Sequence, residues 1–257
     1  MENILRIQGL TKAFGGLVAV GNLDLDIREG QVTAIIGPNG AGKTTLFNLI
    51  AGVFPATRGS ISFEGRDLKG MPDYQRARMG IARTFQDVRL FGNMSVLENI
   101  MVGLHSKSRS GMLEAAFRWP GTRREEESIR LAAINTLNLV GLGRRADIKA
   151  GDLTFGQQKL AAVARAVAAR PRLIMLDEPA AGSNALERME IADLVKRIVE
   201  MKITVLLVEH DMRFVMGTAQ RVVVLDGGVK IADGTPSQVQ SDKRVIAAYL
   251  GEPEDQA

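Results

Sequence analysis

Nine consecutive residues have the types and spacing of a loop that binds phosphate groups. They fit the pattern G-x-x-x-x-G-K-[ST], in which backbone amides surround an anion, Lys43 would reach the β- and γ-phosphates and the Thr44 hydroxyl would ligate Mg²⁺. Residues 32–36 before them predict a short apolar strand and residues 46–51 after them a helix, whose positive N-terminal end would face the phosphates. The sequence therefore predicts a nucleotide site, and the alternative is a glycine-rich turn that binds nothing. The nine residues are Gly37, Pro38, Asn39, Gly40, Ala41, Gly42, Lys43, Thr44 and Thr45.

Acidic residues and a histidine follow two further strands at the point where each strand ends. Residues 173–176 and 203–208 are continuous apolar runs, as expected for parallel strands that are buried on both faces. Because open α/β sheets bind ligands beyond the carboxyl ends of their strands, Asp177, Glu178 and His210 should converge with the phosphate loop. We expect Asp177 to hold Mg²⁺ through water, Glu178 to deprotonate a water beside the γ-phosphate, and His210 to donate a hydrogen bond to that phosphate. The alternative is a pair of solvated acids and an exposed or structural histidine.

A glutamine stands at the junction between this predicted core and the middle of the chain. Gln86 closes the segment 83–86, where its amide could bridge the metal, a water and the γ-phosphate. The residue type alone indicates little, so this role depends on the motifs around it.

The composition limits the partners and the compartment. The chain has 257 residues, of which 46% are hydrophobic and only 5% aromatic, and this suits one large α/β domain with an appended subdomain. Its net charge of +4 is too small to argue for a nucleic-acid partner. There is no cysteine, and no apolar run has the length of a secretory signal or a membrane span. These features predict a soluble, cytoplasmic protein, and any membrane role would have to come through a partner.

The hydrophobic pattern divides the chain into three parts. Residues 4–9 and 18–27 alternate apolar and polar side chains and predict antiparallel strands. Between residues 87 and 152 the apolar residues take helical spacing, which predicts a helical subdomain. Within this part, residues 106–124 are predicted to form a surface insertion. The α/β pattern returns after this middle part with the two buried strands.

One further segment connects these motifs to a known family. Residues 153–158 read Leu-Thr-Phe-Gly-Gln-Gln and stand directly before the helix that leads into the Asp177 strand. Here the chain resembles the ATP-binding cassette (ABC) ATPases, which have a signature of the form L-S-G-G-Q at this place. Thr154 keeps the hydroxyl of the serine, Phe155 replaces the first glycine, and Gly156 keeps the close backbone approach.

The resemblance rests on several motifs in the family's order, from about residue 4 to residue 251. In order they are Phe14, the phosphate loop, Gln86, the signature, Asp177 with Glu178, the loop 180–184 and His210.

The resemblance implies roles in binding one nucleotide. Phe14 would stack on the adenine ring of ATP with its face alone, so the base selectivity should be loose. Residues 37–45 would hold the phosphates. Thr44, Gln86 and Asp177 would bind the Mg²⁺ ion.

The resemblance also implies roles in catalysis and in pairing. Glu178 would activate water, and His210 would contact the γ-phosphate. Two cassettes would close head to tail around two ATP molecules, with the loop 180–184 crossing between them. The signature residues that would act on ATP held by the opposite subunit are Thr154, Gly156 and Gln157.

Pattern and resemblance together predict an α/β fold. It would consist of a P-loop NTPase core with a mixed central sheet, an N-terminal antiparallel β subdomain and an inserted α-helical subdomain. The cassette domain would span residues 4–251, with its core in 4–86 and 159–251 and the helical subdomain with its insertion at about 87–158. Residues 252–257 would be a C-terminal tail.

Several segments resemble the branch of the family that imports branched-chain amino acids. They are residues 83–86, Phe155, and residues 180–184, 209–217 and 245–251, and the insertion 106–124 suggests the larger of that importer's two ATPase subunits. The resemblance implies a second ABC ATPase subunit in a homo- or heterodimer, multi-span permease subunits and, indirectly, a periplasmic or extracellular substrate-binding protein. The chain would lie on the inner face of the cell membrane.

Other functions stay open at this point. Urea or amide importers and the lipopolysaccharide-export ATPase are close relatives of that branch, and a non-transport ABC ATPase is a further alternative. A GTPase should show an N-K-x-D motif, which is absent, and a small-molecule kinase would have no use for residues 153–158.

Overall fold

The computed structural model describes residues 2–84, 90–105 and 120–250 of the chain. Gln86, most of the predicted insertion 106–124 and the predicted tail 252–257 lie outside the described residues.

A four-stranded antiparallel sheet contains the N-terminal residues. Its order is β2-β1-β4-β5, and alternate side chains of β2, among them Leu23, Leu25 and Ile27, are buried beneath it. The antiparallel β subdomain predicted from the sequence is therefore confirmed. The strands are β1 (Asn3–Phe14), β2 (Leu17–Arg28), β4 (Arg58–Phe63) and β5 (Arg66–Asp67).

A six-stranded mixed sheet forms the centre of the fold, as the sequence predicts. Its order is β10-β9-β3-β8-β7-β6; the pairs from β9 to β6 are parallel, and β10 runs antiparallel to β9. The strands are β3 (Val32–Ile36), β6 (Ile81–Arg83), β7 (Leu173–Asp177), β8 (Thr204–Val208), β9 (Arg221–Asp226) and β10 (Val229–Gly234).

The register of the central strands aligns their carboxyl ends. Ile35 of β3 pairs with Val208 of β8, and Val208 pairs with Asp177 of β7. Since all three strands are buried along their whole length, the polar residues that follow them emerge at the same edge of the sheet.

Helices cover both faces of the central sheet, and successive residues of one strand belong to different cores. Ile35 packs with Phe47 of the first helix and with the antiparallel sheet, whereas Ala34 and Ile36 pack with helices on the opposite face. The longer helices are α1 (Lys43–Ala51), α3 (Val96–His105), α4 (Pro120–Leu139), α5 (Phe155–Ala168) and α6 (Ala185–Glu200). Shorter ones are α2 (Asp73–Met79), α7 (Met212–Thr218), α8 (Pro236–Gln240) and α9 (Lys243–Leu250).

Helices α3, α4 and α5 pack against one another beside the sheet. Helix α4 begins at Pro120, a residue favoured at the first helical position, so the last residues of the predicted insertion belong to a helix. Helix α5 runs without interruption through residues 158 and 159, where the sequence analysis divides the helical subdomain from the core. The domain boundaries stay a prediction.

Candidate functional site

The phosphate loop connects β3 to α1, and two of its glycines have no room for a side chain. A Cβ on Gly37 would overlap the carbonyl oxygen of Leu225, and one on Gly42 would overlap that of Ala19. Gly42 has a φ of 95° and precedes α1 with no side chain capping the helix. The first amides of α1 are therefore directed at the loop without a side-chain partner at the N-cap, as an anion site requires.

Lys43 lies across the inside of this loop. Its Nζ donates hydrogen bonds to the carbonyl oxygens of Gly37 at 2.6 Å and Pro38 at 2.8 Å. Burial lowers the pKa of Lys43 below its ordinary value, and the nearby carboxylates of Glu178 and Asp177 oppose that shift. The ammonium group is thus held within the electrostatic reach of both acids.

Asp177 ends β7 and is buried against an arginine. Its Oδ2 accepts a hydrogen bond of 2.8 Å from Nη2 of Arg83, and both side chains are less than a tenth exposed. Nη1 of Arg83 donates to Oδ1 of Asn48 on α1 at 2.5 Å. Arg83 therefore connects the helix behind the phosphate loop to the carboxylate at the end of β7. Sequence reasoning missed this role, because nothing in the spacing of 83–86 indicates an ion pair 94 residues away.

Glu178 and His210 lie next to each other beyond β7 and β8. Glu178 has a φ of 48°, which is uncommon for a residue with a side chain, and its amide donates to the carbonyl of Val208 at 2.9 Å. Nδ1 of His210 lies 3.9 Å from Oε2 of Glu178, and 61% of the histidine side chain is exposed. The predicted base and the predicted phosphate contact are thus neighbours at the same edge of the sheet.

Glu209, between β8 and His210, is completely buried. Its Oε1 accepts a hydrogen bond of 2.7 Å from the amide of Ala180, and its Oε2 accepts one of 3.1 Å from the amide of His210. Burial raises the pKa of this carboxyl group above its ordinary value, and the backbone hydrogen bonds oppose the shift. The sequence analysis assigned Glu209 no function, because the Ala180 amide that donates to this carboxylate belongs to a different segment of the chain.

The signature segment forms the first turn of α5. Thr154 is the N-cap, and it exchanges two hydrogen bonds with Gln157: the threonine Oγ1 accepts from the Gln157 amide, and the Gln157 Oε1 accepts from the Thr154 amide. Phe155 is 57% exposed, and Gly156 lies close to the Glu187 carboxylate. The predicted signature residues are thus presented at one exposed helix N-terminus.

Residues 178–183, which we call the β7 turn, lie between Asp177 and α6. Two hydrogen bonds of 3.2 Å within the turn, from the amides of Ala181 and Ser183, shape its backbone. Asn184 then caps α6 and exchanges hydrogen bonds with Glu187. An asparagine at this position therefore serves as a helix N-cap.

Phe14 lies at the end of β1, and 47% of it is exposed. Its ring meets the edge of Phe54 with the centroids 5.3 Å apart, and Nζ of Lys12 lies 4.9 Å from its centroid. Phe14 is thus a partly exposed aromatic ring beside a cation. Tyr249 on α9 lies near the backbone of Gly37, which the sequence did not indicate. Burial raises the pKa of this tyrosine, and the Gly37 backbone opposes that shift.

The oxygen groups near the phosphate loop suit a magnesium ion that is shared with a phosphate. Among the described residues, no group of three or more His, Cys, Asp or Glu side chains could hold a metal by itself. Mg²⁺ usually keeps several waters and binds one or two carboxylates together with substrate phosphates. The Asp177 carboxylate and the Thr44 hydroxyl fit that description, while Gln86 lies outside the described residues.

Helices that could cross a bilayer were sought in the part of the chain that the structure describes. None there combines the necessary length with the necessary apolar character.

Family models match two parts of the chain. The ABC transporter model matches residues 20–181. A second model, described as a branched-chain amino acid ATP-binding cassette transporter, matches residues 229–255.

The chain is also similar to individual proteins over nearly its whole length. It is 44% identical over 250 residues, 97% of this chain and 98% of the relative, to the high-affinity branched-chain amino acid transport ATP-binding protein BraF of Pseudomonas aeruginosa. A crystal structure of an ATP-binding cassette of an ABC transporter in its ADP conformation has 34% identity and a TM-score of 0.85, covering 98% of this chain and 100% of the other. The dimeric structure of a cassette bound to ADP and phosphate in a post-hydrolysis state has 27% identity and a TM-score of 0.77, covering 90% and 98%. From its motifs, its fold and these similarities, the chain belongs to the ABC transporter family as one of its ATP-binding cassettes.

Proposed function

We propose that this chain is the ATP-hydrolysing subunit of an importer for branched-chain amino acids, attached to the inner face of the cell membrane. The observation that carries the substrate class is the 44% identity to BraF along 97% of the chain, together with the C-terminal match at residues 229–255. ATP hydrolysis coupled to transport follows from the family itself.

The phosphate loop binds the triphosphate in this proposal. The phosphates occupy the open space at Gly40 and accept hydrogen bonds from the amides at the start of α1. The Lys43 ammonium gives up its hydrogen bonds to the carbonyl oxygens of Gly37 and Pro38 and donates to phosphate oxygens instead. The exposed ring of Phe14 stacks on the adenine, and its neighbour Lys12 adds positive charge.

Magnesium, when bound, supplies positive charge that neutralises the β- and γ-phosphate oxygens. The residues that would hold it are Thr44, Gln86 and Asp177. Arg83 keeps the Asp177 carboxylate oriented toward α1, because its guanidinium also binds Asn48.

Glu178 acts as the general base and His210 contacts the γ-phosphate in this proposal. The carboxylate accepts a proton from the attacking water, and the imidazole, 3.9 Å away, donates a hydrogen bond toward the phosphate. Because 61% of the histidine side chain is exposed, it can reach a substrate without moving the strand that precedes it.

A second cassette completes each site. Thr154, Gly156 and Gln157 stand at an exposed helix N-terminus, a position from which they can contact phosphate on another subunit. The dimeric relative bound to ADP and phosphate supports such pairing. The partner cassette is a second copy of this chain or a related ATPase subunit.

A permease docks in an apolar groove between β6 and α3 with α5. The lining of the groove includes small side chains, among them Ala82, Ala162 and Ala166, the exposed apolar side chains of Phe91 and Val102, and two arginines, Arg83 and Arg165. Small and apolar side chains that line a groove suit an amphipathic helix. The proposed occupant is a cytoplasmic helix of a multi-span permease, which in turn receives substrate from a periplasmic or extracellular binding protein.

Amino-acid uptake in the native cell tests this proposal. Deleting the chain should abolish high-affinity uptake of leucine, isoleucine and valine, and the wild-type chain, but not the Glu178→Gln variant, should restore it. Uptake of urea and export of lipopolysaccharide, measured in the same strains, should not change. Normal leucine uptake in the deletion strain, or loss of either control activity, would reject the assigned substrate class.

A further inference from the structure

Two buried charges of opposite sign hold the backbone of the β7 turn from two sides. Nζ of Lys159, on α5, donates hydrogen bonds to the carbonyl oxygens of Pro179, at 3.4 Å, and Ala181. Between those two carbonyls, the amide of Ala180 donates to Oε1 of Glu209 at 2.7 Å. Three successive residues that follow Glu178 are thus held by side chains from two other motifs.

Lys159 is not a surface lysine that happens to reach the turn. Only 8% of it is exposed, and burial lowers its pKa, while the carboxylates of Glu209, Glu178 and Glu187 oppose that shift. Burying an ammonium group is costly unless polar partners compensate for lost water. The carbonyls of the β7 turn are those partners, so the turn and the lysine fix each other's position.

The first turn of α5 contacts the β7 turn at one more point and the start of α6 at another. The ring of Phe155 lies over Nζ of Lys159, 4.9 Å from its centroid, and its edge comes close to Gly182. A Cβ on Gly156 would lie 2.7 Å from Oε1 of Glu187, which leaves the first turn of α5 closely packed against the start of α6. The departure of Phe155 from the glycine of the family signature therefore has a structural role here.

We propose that Lys159 is a positioning residue that couples the two ATP sites of the dimer. The inference rests on the proposed function, in which the signature of one subunit contacts the ATP of the other. A nucleotide that moves the first turn of α5 moves Lys159 with it, since both belong to one helix. Lys159 then moves the carbonyls of Pro179 and Ala181, and with them the backbone of Glu178, which serves the subunit's own ATP.

This arrangement makes hydrolysis at one site depend on occupancy of the other. The energetic coupling is carried by contiguous contacts, from the helix terminus through one ammonium group to the turn. Glu209 holds the opposite side of the turn and is itself adjacent to His210, so displacement by Lys159 changes the distance between Glu178 and the histidine.

The test compares Lys159→Met with Lys159→Arg in the full transporter purified from membranes. Lys159→Met should lower kcat by about 10-fold to 10²-fold, since a misplaced base slows turnover. The hydrolysis rate should also lose its cooperative dependence on ATP concentration, as expected for two independent sites. ATP affinity of the phosphate loop, measured with a fluorescent ATP analogue on the isolated chain, should stay within about 2-fold, because Lys159 does not contact the nucleotide. Lys159→Arg, which keeps several donors, should restore the cooperative dependence.

Two controls keep the outcome decisive. Lys196→Met makes the same replacement at an exposed lysine of α6 and should change nothing. Lys159→Gln keeps one donor group and is measured in place of the methionine variant if that one does not fold. Cooperative hydrolysis in the neutral variant that folds, or an arginine variant as defective as that neutral variant with an equally lowered Tm, would overturn the coupling role.

The failure of this inference can be distinguished from failure of the proposed function. If Glu178→Gln complexes saturated with ATP never bring two cassettes together, the dimer itself is wrong. If they do, and Lys159→Met leaves cooperativity unchanged, only the role of Lys159 is wrong.

Discussion

The phosphate loop and the β7 turn lie at the same edge of the central sheet, but they are positioned by different means. In the loop, Gly37 and Gly42 allow the backbone to pass closer to neighbouring carbonyls than any side chain permits. In the β7 turn, a residue with a side chain adopts a φ of 48°, and the buried charges of Lys159 and Glu209 hold the backbone that follows. One segment is fixed by the absence of side chains and the other by their charge.

This difference has an energetic consequence. The backbone at Gly37 and Gly42 is closely enclosed by the carbonyls of Leu225 and Ala19, and this enclosure depends on no charged side chain. A turn held by hydrogen bonds to Lys159 and Glu209 moves when either side chain moves, since each charge needs those partners. The phosphate loop is thus suited to constant binding and the β7 turn to a switch.

The largest effect is expected at Glu178, because the proposed function makes this residue the general base. Glu178→Gln should lower ATP turnover by about 10²-fold to 10⁴-fold, the usual contribution of a general base, and should leave ATP binding intact. Phosphate release and binding of a fluorescent ATP analogue separate the two properties. Trapping of paired cassettes should accompany the loss, and unchanged hydrolysis would remove Glu178 from its role.

The next largest effect is expected at the ion pair that fixes the start of the β7 turn. Arg83→Met leaves the Asp177 carboxylate buried without its partner and should lower the free energy of unfolding by about 3–5 kcal/mol. Adding Asp177→Asn should recover much of that loss, because it removes the unpaired charge. Urea denaturation measures both.

A surface ion pair supplies the matched control for Arg83. Arg6 pairs with Asp26 at 3.2 Å, and both side chains are about half exposed, so Arg6→Met should change stability little. Equal losses of unfolding free energy in the two arginine variants would show that burial does not determine how much the Arg83–Asp177 pair contributes to stability.

The same comparison explains what could be predicted from the sequence. Glycines at fixed spacing before Lys43 predict the phosphate loop, because the pattern depends only on the local backbone geometry of consecutive residues. The apolar runs ending at Asp177 and before Glu209 predict two buried strands and hence the edge where the site lies. The partners Arg83 and Lys159 could not be predicted, since each reaches across elements whose packing the local pattern does not determine.

On the phosphate-loop side, Lys43 tests whether a charge matters where the backbone supplies most of the site. Lys43→Ala should weaken ATP binding by about 10-fold to 10²-fold, the value of a hydrogen bond to a charged group. Stability should not fall in parallel, because burial already lowers the pKa of this lysine and its removal relieves that cost. Calorimetric titration with ATP and a thermal melt measure the two effects. Unchanged ATP affinity would contradict the assignment of the loop.

The smallest effect is expected at Gly40. Comparing it with Gly37 shows whether the loop needs glycine for its backbone conformation alone or also for close approach to a neighbouring strand. A Cβ there meets nothing within 4 Å, so Gly40→Ala carries only the penalty of its φ of 82°, about 1–2 kcal/mol of stability. Gly37→Ala should cost more, because its Cβ also overlaps the carbonyl of Leu225. Urea denaturation measures the stability that each variant loses: Gly40→Ala reports conformational strain alone, and Gly37→Ala reports strain together with overlap. If both lose the same stability, the loop is fixed by backbone conformation alone and the close approach of β9 contributes nothing.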